Sequence, residues 1–161
     1  MTHEEKLQRL SAAIAAEWLS YYSYWYSSVV AIGPMYESLS KHFKEHAEEE
    51  KEHADKLANR LYELGGLPTF NIAELTAISS CRYPVYRKGN EYVKVLVEQQ
   101  KEAETCVVSN YEKLIKDIGD TDPVTVDLLT EVLATEYEHM TDMRKAFTSL
   151  NMPGGLPLAQ G

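Results

Sequence analysis

Two short strings in this chain place a histidine three residues after a glutamate: Glu50 with His53, and Glu136 with His139. Three helical residues turn the chain by about 300°, so each pair projects from nearly one side. Carboxylate with imidazole is a donor set for first-row divalent metals such as iron or manganese. Two further acids, Glu17 and Glu104, stand where the apolar stripe of their segment calls for leucine. An ionised carboxylate is very costly to bury alone. Four of them, one in each of four long segments, share one explanation: a common cation. One Glu from each of two helices, with Glu-x-x-His from each of the other two, is the donor pattern of carboxylate-bridged two-metal sites in helix bundles. Four carboxylates offset two divalent charges, two of them can bridge, and open positions remain for dioxygen or peroxide.

Such a site needs four helices to carry it, and the hydrophobic period supplies them. The first is predicted over residues 2–32, with Leu7, Leu10, Ile14, Glu17, Tyr21 and Tyr24 on one face and Gly33-Pro34 as its stop. The second covers 35–64, with Leu39, Phe43, His46, Glu50, His53 and Leu57 aligned. The third covers 89–118 through Val93, Val97, Gln100, Glu104, Val107 and Tyr111. The fourth covers 123–150 through Leu129, Val132, Glu136, His139 and Met143. Asp122 and Pro123 form its cap and first position.

Helices of about 28 residues are about 42 Å long. The linker between the second and third covers residues 66–88, enough at about 3.3 Å per residue to run the length of a bundle. It holds a short helical candidate over 71–79, with Asn71 as cap. The expected fold is all-α: a four-helix bundle over residues 1–150 with a long crossover between the second and third helices, then a flexible C-terminal tail over 151–161. The Glu17–Glu50 and Glu104–Glu136 spacings are nearly equal, so each antiparallel pair sets its ligands at one height.

The other residues of the string 48–53, namely Glu48, Glu49, Lys51 and Glu52, turn toward solvent or an interface. His46, one turn before Glu50, is open to two readings: an accessory ligand on iron's inward route, or a hydrogen-bonded core or interface histidine. Tyr24, two turns after Glu17, can hydrogen-bond a ligand carboxylate or donate one electron. The surrounding YYSYWYSS reads as packing and subunit interface.

The 161 residues suffice for one domain with a core. With 44% hydrophobic and 25% charged residues, the composition is that of a globular chain. A net charge of −9 without a basic cluster argues against gripping a phosphate backbone. No apolar run reaches the about 18 residues of a membrane span, and MTHEEKLQRL lacks a signal-peptide core, so a cytoplasmic protein is expected. Cys81 and Cys106 are too few for a disulfide scaffold; in the cytosol the plain expectation is two reduced thiols, with a redox pair as the rarer alternative.

Over about residues 3–150 the order Glu, E-x-x-H, Glu, E-x-x-H resembles the ferritin-like superfamily, and the bacterioferritins in particular. The resemblance implies that Glu17, Glu50, His53, Glu104, Glu136 and His139 are the ligands of two iron ions per subunit, with manganese as the alternative metal and Tyr24 beside the centre. Bacterioferritins bind haem through a methionine just after the first E-x-x-H glutamate. Lys51 stands there, so no haem is expected by that mode. A cysteine in the crossover (Cys81) and another two residues after a ligand (Cys106) resemble the Dps-like thioferritins. A two-residue step turns about 200°, so with Glu104 inward Cys106 faces outward, where the crossover can bring Cys81 near.

That likeness implies a hollow dodecameric shell that oxidises Fe(II), preferentially with hydrogen peroxide and otherwise with O2, and stores ferric mineral. Cys81 and Cys106 would be a disulfide or dithiol able to exchange electrons near the centre. Dps-style DNA binding is not expected, since no basic N-terminal arm is present. Two rivals follow from the same residues. One is a di-iron peroxidase or manganese catalase on this fold, without storage. The other is a metal-free helical interaction protein.

Overall fold

The computed structural model describes residues 1–85 and 87–152. Its long helices are α1 (His3–Val30), α2 (Tyr36–Glu63), α4 (Val93–Ile118) and α5 (Pro123–Asn151); the short α3 (Leu75–Ile78) lies in the crossover. The chain is all-α, a ferritin-like four-helix bundle with the long link between its second and third long helices. Asn151 closes α5, and the residues after Met152 of the expected tail lie outside the described residues. Among the described residues no helix is long and apolar enough to cross a membrane.

Local chemistry explains the helix ends. Thr2 and Glu5 form a reciprocal capping box: the Glu5 amide donates to Thr2 Oγ1 at 3.1 Å and the Thr2 amide to Glu5 Oε2 at 2.7 Å. Asp122 caps α5 by accepting from the Thr125 amide, with Pro123 at the first position, as expected. Asp122 also binds Lys6 at 2.8 Å and Arg60 at 2.9 Å, which ties α1, α2 and α5 together at one end.

Two predicted ends shift. α1 stops at Val30 rather than 32, and the third long helix starts at Val93 rather than 89. One contact explains both. The Ile32 amide donates to the Glu91 carbonyl and the Val93 amide to the Ile32 carbonyl, each at 2.9 Å. This short parallel bridge takes backbone groups that helix would otherwise use. Gly33 is required beside it: its φ is +109°, and a Cβ there would meet the Tyr92 ring at 2.6 Å.

The crossover is pinned rather than free. Asn71 caps a 3-10 turn (Ile72–Glu74) that runs into α3, so the predicted single short helix is split into two pieces. The Ser80 amide donates to the Ala12 carbonyl of α1 at 3.1 Å. Cys81 is joined by a disulfide to Cys106 of α4. The plain expectation of two separate thiols does not hold, because the crossover folds back over the outer face of α4.

The apolar core falls into two clusters. One gathers Leu10, Ile14, Leu57, Leu61, Leu114 and Leu129; the other gathers Leu39, Phe43, Val93, Val97, Met143 and Ala146. Between them, at mid-height, lies a belt of buried acids and histidines.

Candidate metal centre

Glu17 of α1, Glu50 and His53 of α2, Glu104 of α4, and Glu136 and His139 of α5 all converge in this belt, each at most 3% exposed. They form two four-residue groups. One is Glu17, Glu50, His53 and Glu136; the other is Glu50, Glu104, Glu136 and His139. Glu50 and Glu136 belong to both. Glu50 turns Oε2 to His53 Nδ1 (3.8 Å) and Oε1 to His139 Nδ1 (3.2 Å). Glu136 turns Oε1 to His53 Nδ1 (2.7 Å) and Oε2 to His139 Nδ1 (3.7 Å). The sequence left open which carboxylates are shared. The geometry makes Glu50 and Glu136 the shared pair, with Glu17 on the His53 side and Glu104 on the His139 side.

Two tyrosines hold the outer carboxylates. Tyr24 Oη donates to Glu104 Oε1, and Tyr111 Oη donates to Glu17 Oε1, each at 2.5 Å. Tyr24 thus serves Glu104 of α4, not Glu17 of its own helix. α1 and α4 run antiparallel, so a step of seven residues along either helix reaches the level of the other's glutamate. Tyr111 was on the predicted inner face of its helix but had no assigned role. A signal for it exists: Glu-x6-Tyr occurs twice, as Glu17/Tyr24 and Glu104/Tyr111. Burial first, and then the nearby carboxylates, push both phenols well above their ordinary pKa, so each stays a hydrogen-bond donor.

The remaining polar atoms lack partners. Glu17 Oε2, Glu50 Oε2, Glu104 Oε2, both oxygens of Glu136, and His53 Nδ1 are buried without a hydrogen bond. The 2.7 Å approach of His53 Nδ1 to Glu136 Oε1 lacks hydrogen-bond alignment, so it satisfies neither atom. Burial, then the charges of neighbouring carboxylates, raise Glu17 and Glu104 well above the usual carboxylate range. Burial alone would lower His53, yet contacts with Glu136, Glu17 and Glu50 outweigh it and push the imidazole up to about 12. His139 moves up for the same reason. Glu50, crowded by both imidazoles, moves down although burial opposes it. The common cause is excess negative charge that a cation relieves. Orphaned inward-facing oxygens and an orphaned imidazole nitrogen are donors that could bind first-row divalent metals. The site therefore fits the metals the sequence suggested.

Glu49 is exposed, as expected of the solvated or interfacial residues, yet its Oε2 reaches His139 Nε2 at 2.6 Å, a contact the sequence did not predict. One residue from Glu50 is a turn of about 100° on α2. That direction is outward from α2 but points at α5, a fact the periodicity of α2 does not contain. With Nε2 engaged by Glu49, Nδ1 of His139 is oriented to the centre, the arrangement by which a carboxylate behind a histidine fixes its tautomer for metal binding. His46 stacks on His139, with ring centroids 4.1 Å apart. Burial, and then the charge of His139, lower His46 to about 3, which leaves it neutral. It is neither hydrogen-bonded at Nδ1 nor among the residues around the centre.

The disulfide lies on the far side of α4. Asn110 Nδ2 is 3.1 Å from Cys81 Sγ and 3.3 Å from Cys106 Sγ. Tyr111, the next residue, reaches the centre through Glu17. Of the aromatic stretch near Tyr24, Tyr22 and Trp25 remain exposed on this single chain.

Comparison with known proteins gives a consistent result. A family model for the ferritin-like domain matches residues 7–152. A DNA protection during starvation protein of Pyrococcus furiosus is 32% identical over 136 residues, covering 84% of this chain and 73% of that protein. Among solved structures, a dodecameric thioferritin, the bacterioferritin-related protein of Bacteroides fragilis, superposes with a TM-score of 0.89 at 30% identity, over 93% of this chain and 88% of that one. Dps of Thermosynechococcus elongatus shares the fold, with a TM-score of 0.84 at 21% identity, over 95% and 94% of the two chains.

Proposed function

Since the chain belongs to the ferritin-like domain family, we propose that it is a ferroxidase: it oxidises Fe(II) with hydrogen peroxide, or with O2, and stores the ferric product in a dodecameric shell. Iron is the substrate here. The observation that carries the reading is the pair of four-residue groups sharing Glu50 and Glu136, with their inward oxygens left without partners. Two Fe(II) side by side give one electron each. The peroxide O–O bond breaks, two protons are taken up, and two waters leave. Because both electrons are at hand together, no hydroxyl radical is released.

The chain's own residues supply the setting. Glu17, Glu50, His53, Glu104, Glu136 and His139 bind the substrate pair. Manganese suits the same donors. Tyr111 and Tyr24 fix the outer carboxylates, and Glu49 orients His139. Tyr24 is also placed to donate one electron to the oxidant when a single Fe(II) supplies the other, its proton having an acceptor in Glu104 at 2.5 Å. As a dithiol, Cys81 and Cys106 can supply two further electrons and two protons on the crossover side of α4, and in doing so form the disulfide. We place this work in the cytoplasm, where Fe(II) is supplied. Protection comes from removing iron and peroxide together, and the net charge of −9 speaks against direct phosphate contact.

Anaerobic titration with Fe(II) should show two tightly bound ions per chain. Added peroxide should then develop ferric absorbance in proportion. A chain that binds no Fe(II) is not a ferroxidase. Release of O2 from peroxide without net iron oxidation would make it a catalase instead. Particle mass and electron microscopy test the shell.

A further inference from the structure

Beyond His139 stands a group of side chains that the two-metal centre does not use. α2 and α5 are antiparallel, so a step back from Glu50 meets a step forward from His139. This brings His42 and His46 of α2 together with Asp142 of α5, with one ligand atom of each within 4.8 Å of the others. His42 and His46 are four residues apart, the spacing at which two imidazoles on one helix face can take one ion. His46 is 5% exposed, its Nδ1 has no hydrogen-bond partner, and its Nε2 lies 3.8 Å from Asp142 Oδ2. That gap is too wide for a hydrogen bond. It is within the span of two ligands on one ion, since metal–nitrogen bonds of about 2.1 Å allow about 4.2 Å across. Lys145 approaches the other oxygen of Asp142, at 3.9 Å, and leaves Oδ2 to the histidine. The side chains of His42 and Asp142 are 42% and 44% exposed, so solvent reaches the group and their rotamers can close on an ion.

We propose that His42, His46 and Asp142 form a third divalent-cation site, a loading position for the His139 half of the buried centre. Two imidazoles and one carboxylate leave coordination positions open, and they suit first-row divalent ions over calcium or magnesium. The stacked pair His46–His139 sets this site against the centre, and Glu49 bridges the two regions. Glu49 shares a second ligand group with His46 and His139. An ion held by one carboxylate and two histidines, two of the three side chains half-exposed, is bound more weakly than one held by three buried carboxylates and a histidine. Transfer therefore runs inward. The site stands on its own geometry; its loading role rests on the centre being the metal pair proposed above.

Equilibrium dialysis of the full chain against Zn(II), which binds these donors without redox chemistry, separates the two. The native chain should hold three ions, and His42→Ala with Asp142→Asn should hold two. An unchanged count on that double substitution overturns the third site. Glu50→Ala with Glu136→Ala reads the centre separately and should leave one ion; if it leaves three, the centre assignment fails and the third site does not. For the loading role, the initial rate of Fe(II) oxidation at limiting iron should fall in His42→Ala with Asp142→Asn. A rate equal to native overturns that role. Both substituted residues are near half exposed, so the fold tolerates the change.

Discussion

The two halves of the centre are built on one plan and finished differently. Each has an outer glutamate, a histidine and a tyrosine reaching across from the antiparallel helix: Glu17, His53 and Tyr111 on one side, Glu104, His139 and Tyr24 on the other. Both share Glu50 and Glu136. The difference lies behind the histidines. His139 is backed by Glu49 and stacked on His46, which leads to His42 and Asp142 near solvent. Among the described residues, every metal-capable group reaching beyond the centre passes through His46, and none passes through His53. On the function proposed above, the shared plan would bind two ions. The unequal backing would then give the centre a direction, with one position closed and the other connected to the outside.

Removing a shared carboxylate should have the largest effect. Glu50→Ala or Glu136→Ala takes a ligand from both halves, so Fe(II) affinity should drop beyond the about 10–100-fold that loss of a supporting partner costs. Retention of one tight ion in an anaerobic titration would show that the halves bind independently.

Opening the disulfide comes next. It closes a loop with a sequence separation of 25, and Cys81→Ser with Cys106→Ser should cost about 3 kcal/mol in denaturant unfolding. α4 carries Glu104 for one half and Tyr111 for the other, so any loss of metal affinity should fall on both alike.

Tyr24→Phe and Tyr111→Phe should each cost about 2 kcal/mol of support for an outer carboxylate, the range for hydrogen bonds to charged groups. Titrations should show equal losses of affinity. Rates sharpen the comparison: if Tyr24 is an electron donor, single-turnover oxidation changes in Tyr24→Phe beyond its binding loss, and not in Tyr111→Phe.

The smallest effect belongs at the bundle end, far from either half. Asp122 sits well below its ordinary pKa: burial alone would raise it, but bonds from Lys6 and Thr125 and the charge of Arg60 outweigh that. A lowered folded pKa means the contribution is present above the unfolded value near 4 and is lost as pH falls through the folded one. Asp122→Asn should therefore lower stability by about 1 kcal/mol at pH 7. The two unfolding curves should draw together progressively as pH falls from about 4 toward the folded pKa, and metal binding should be unchanged.

Much of this was legible in the sequence because it depends on helical phase. Glu17, Glu50, Glu104 and Glu136 announced themselves as acids on apolar stripes, and all four are buried. The stops at Gly33-Pro34 and Asp122-Pro123 are local chemistry and fell close to their predicted places. The Glu49 contact was not legible, because its direction from α2 is polar by phase and Glu49, still exposed, meets His139 only when α5 is packed there. The start of α4 was missed for a similar reason: Val93 is held by Ile32, from a turn far earlier in the chain.

By itself, then, the sequence determined which residues lie inward, about where helices begin and end, and that four carboxylates and two histidines share the bundle's interior. Each of these follows from the turn per residue and the cost of burying charge, and both act within one helix. Only the tertiary structure decided which carboxylates are shared, that each tyrosine serves the opposite helix, that Cys81 and Cys106 bond, and that one half of the centre is backed by polar groups leading outward. Those facts depend on the height and rotation at which one helix meets another. Side-chain packing across the whole bundle sets them, and no single helix's period carries that information.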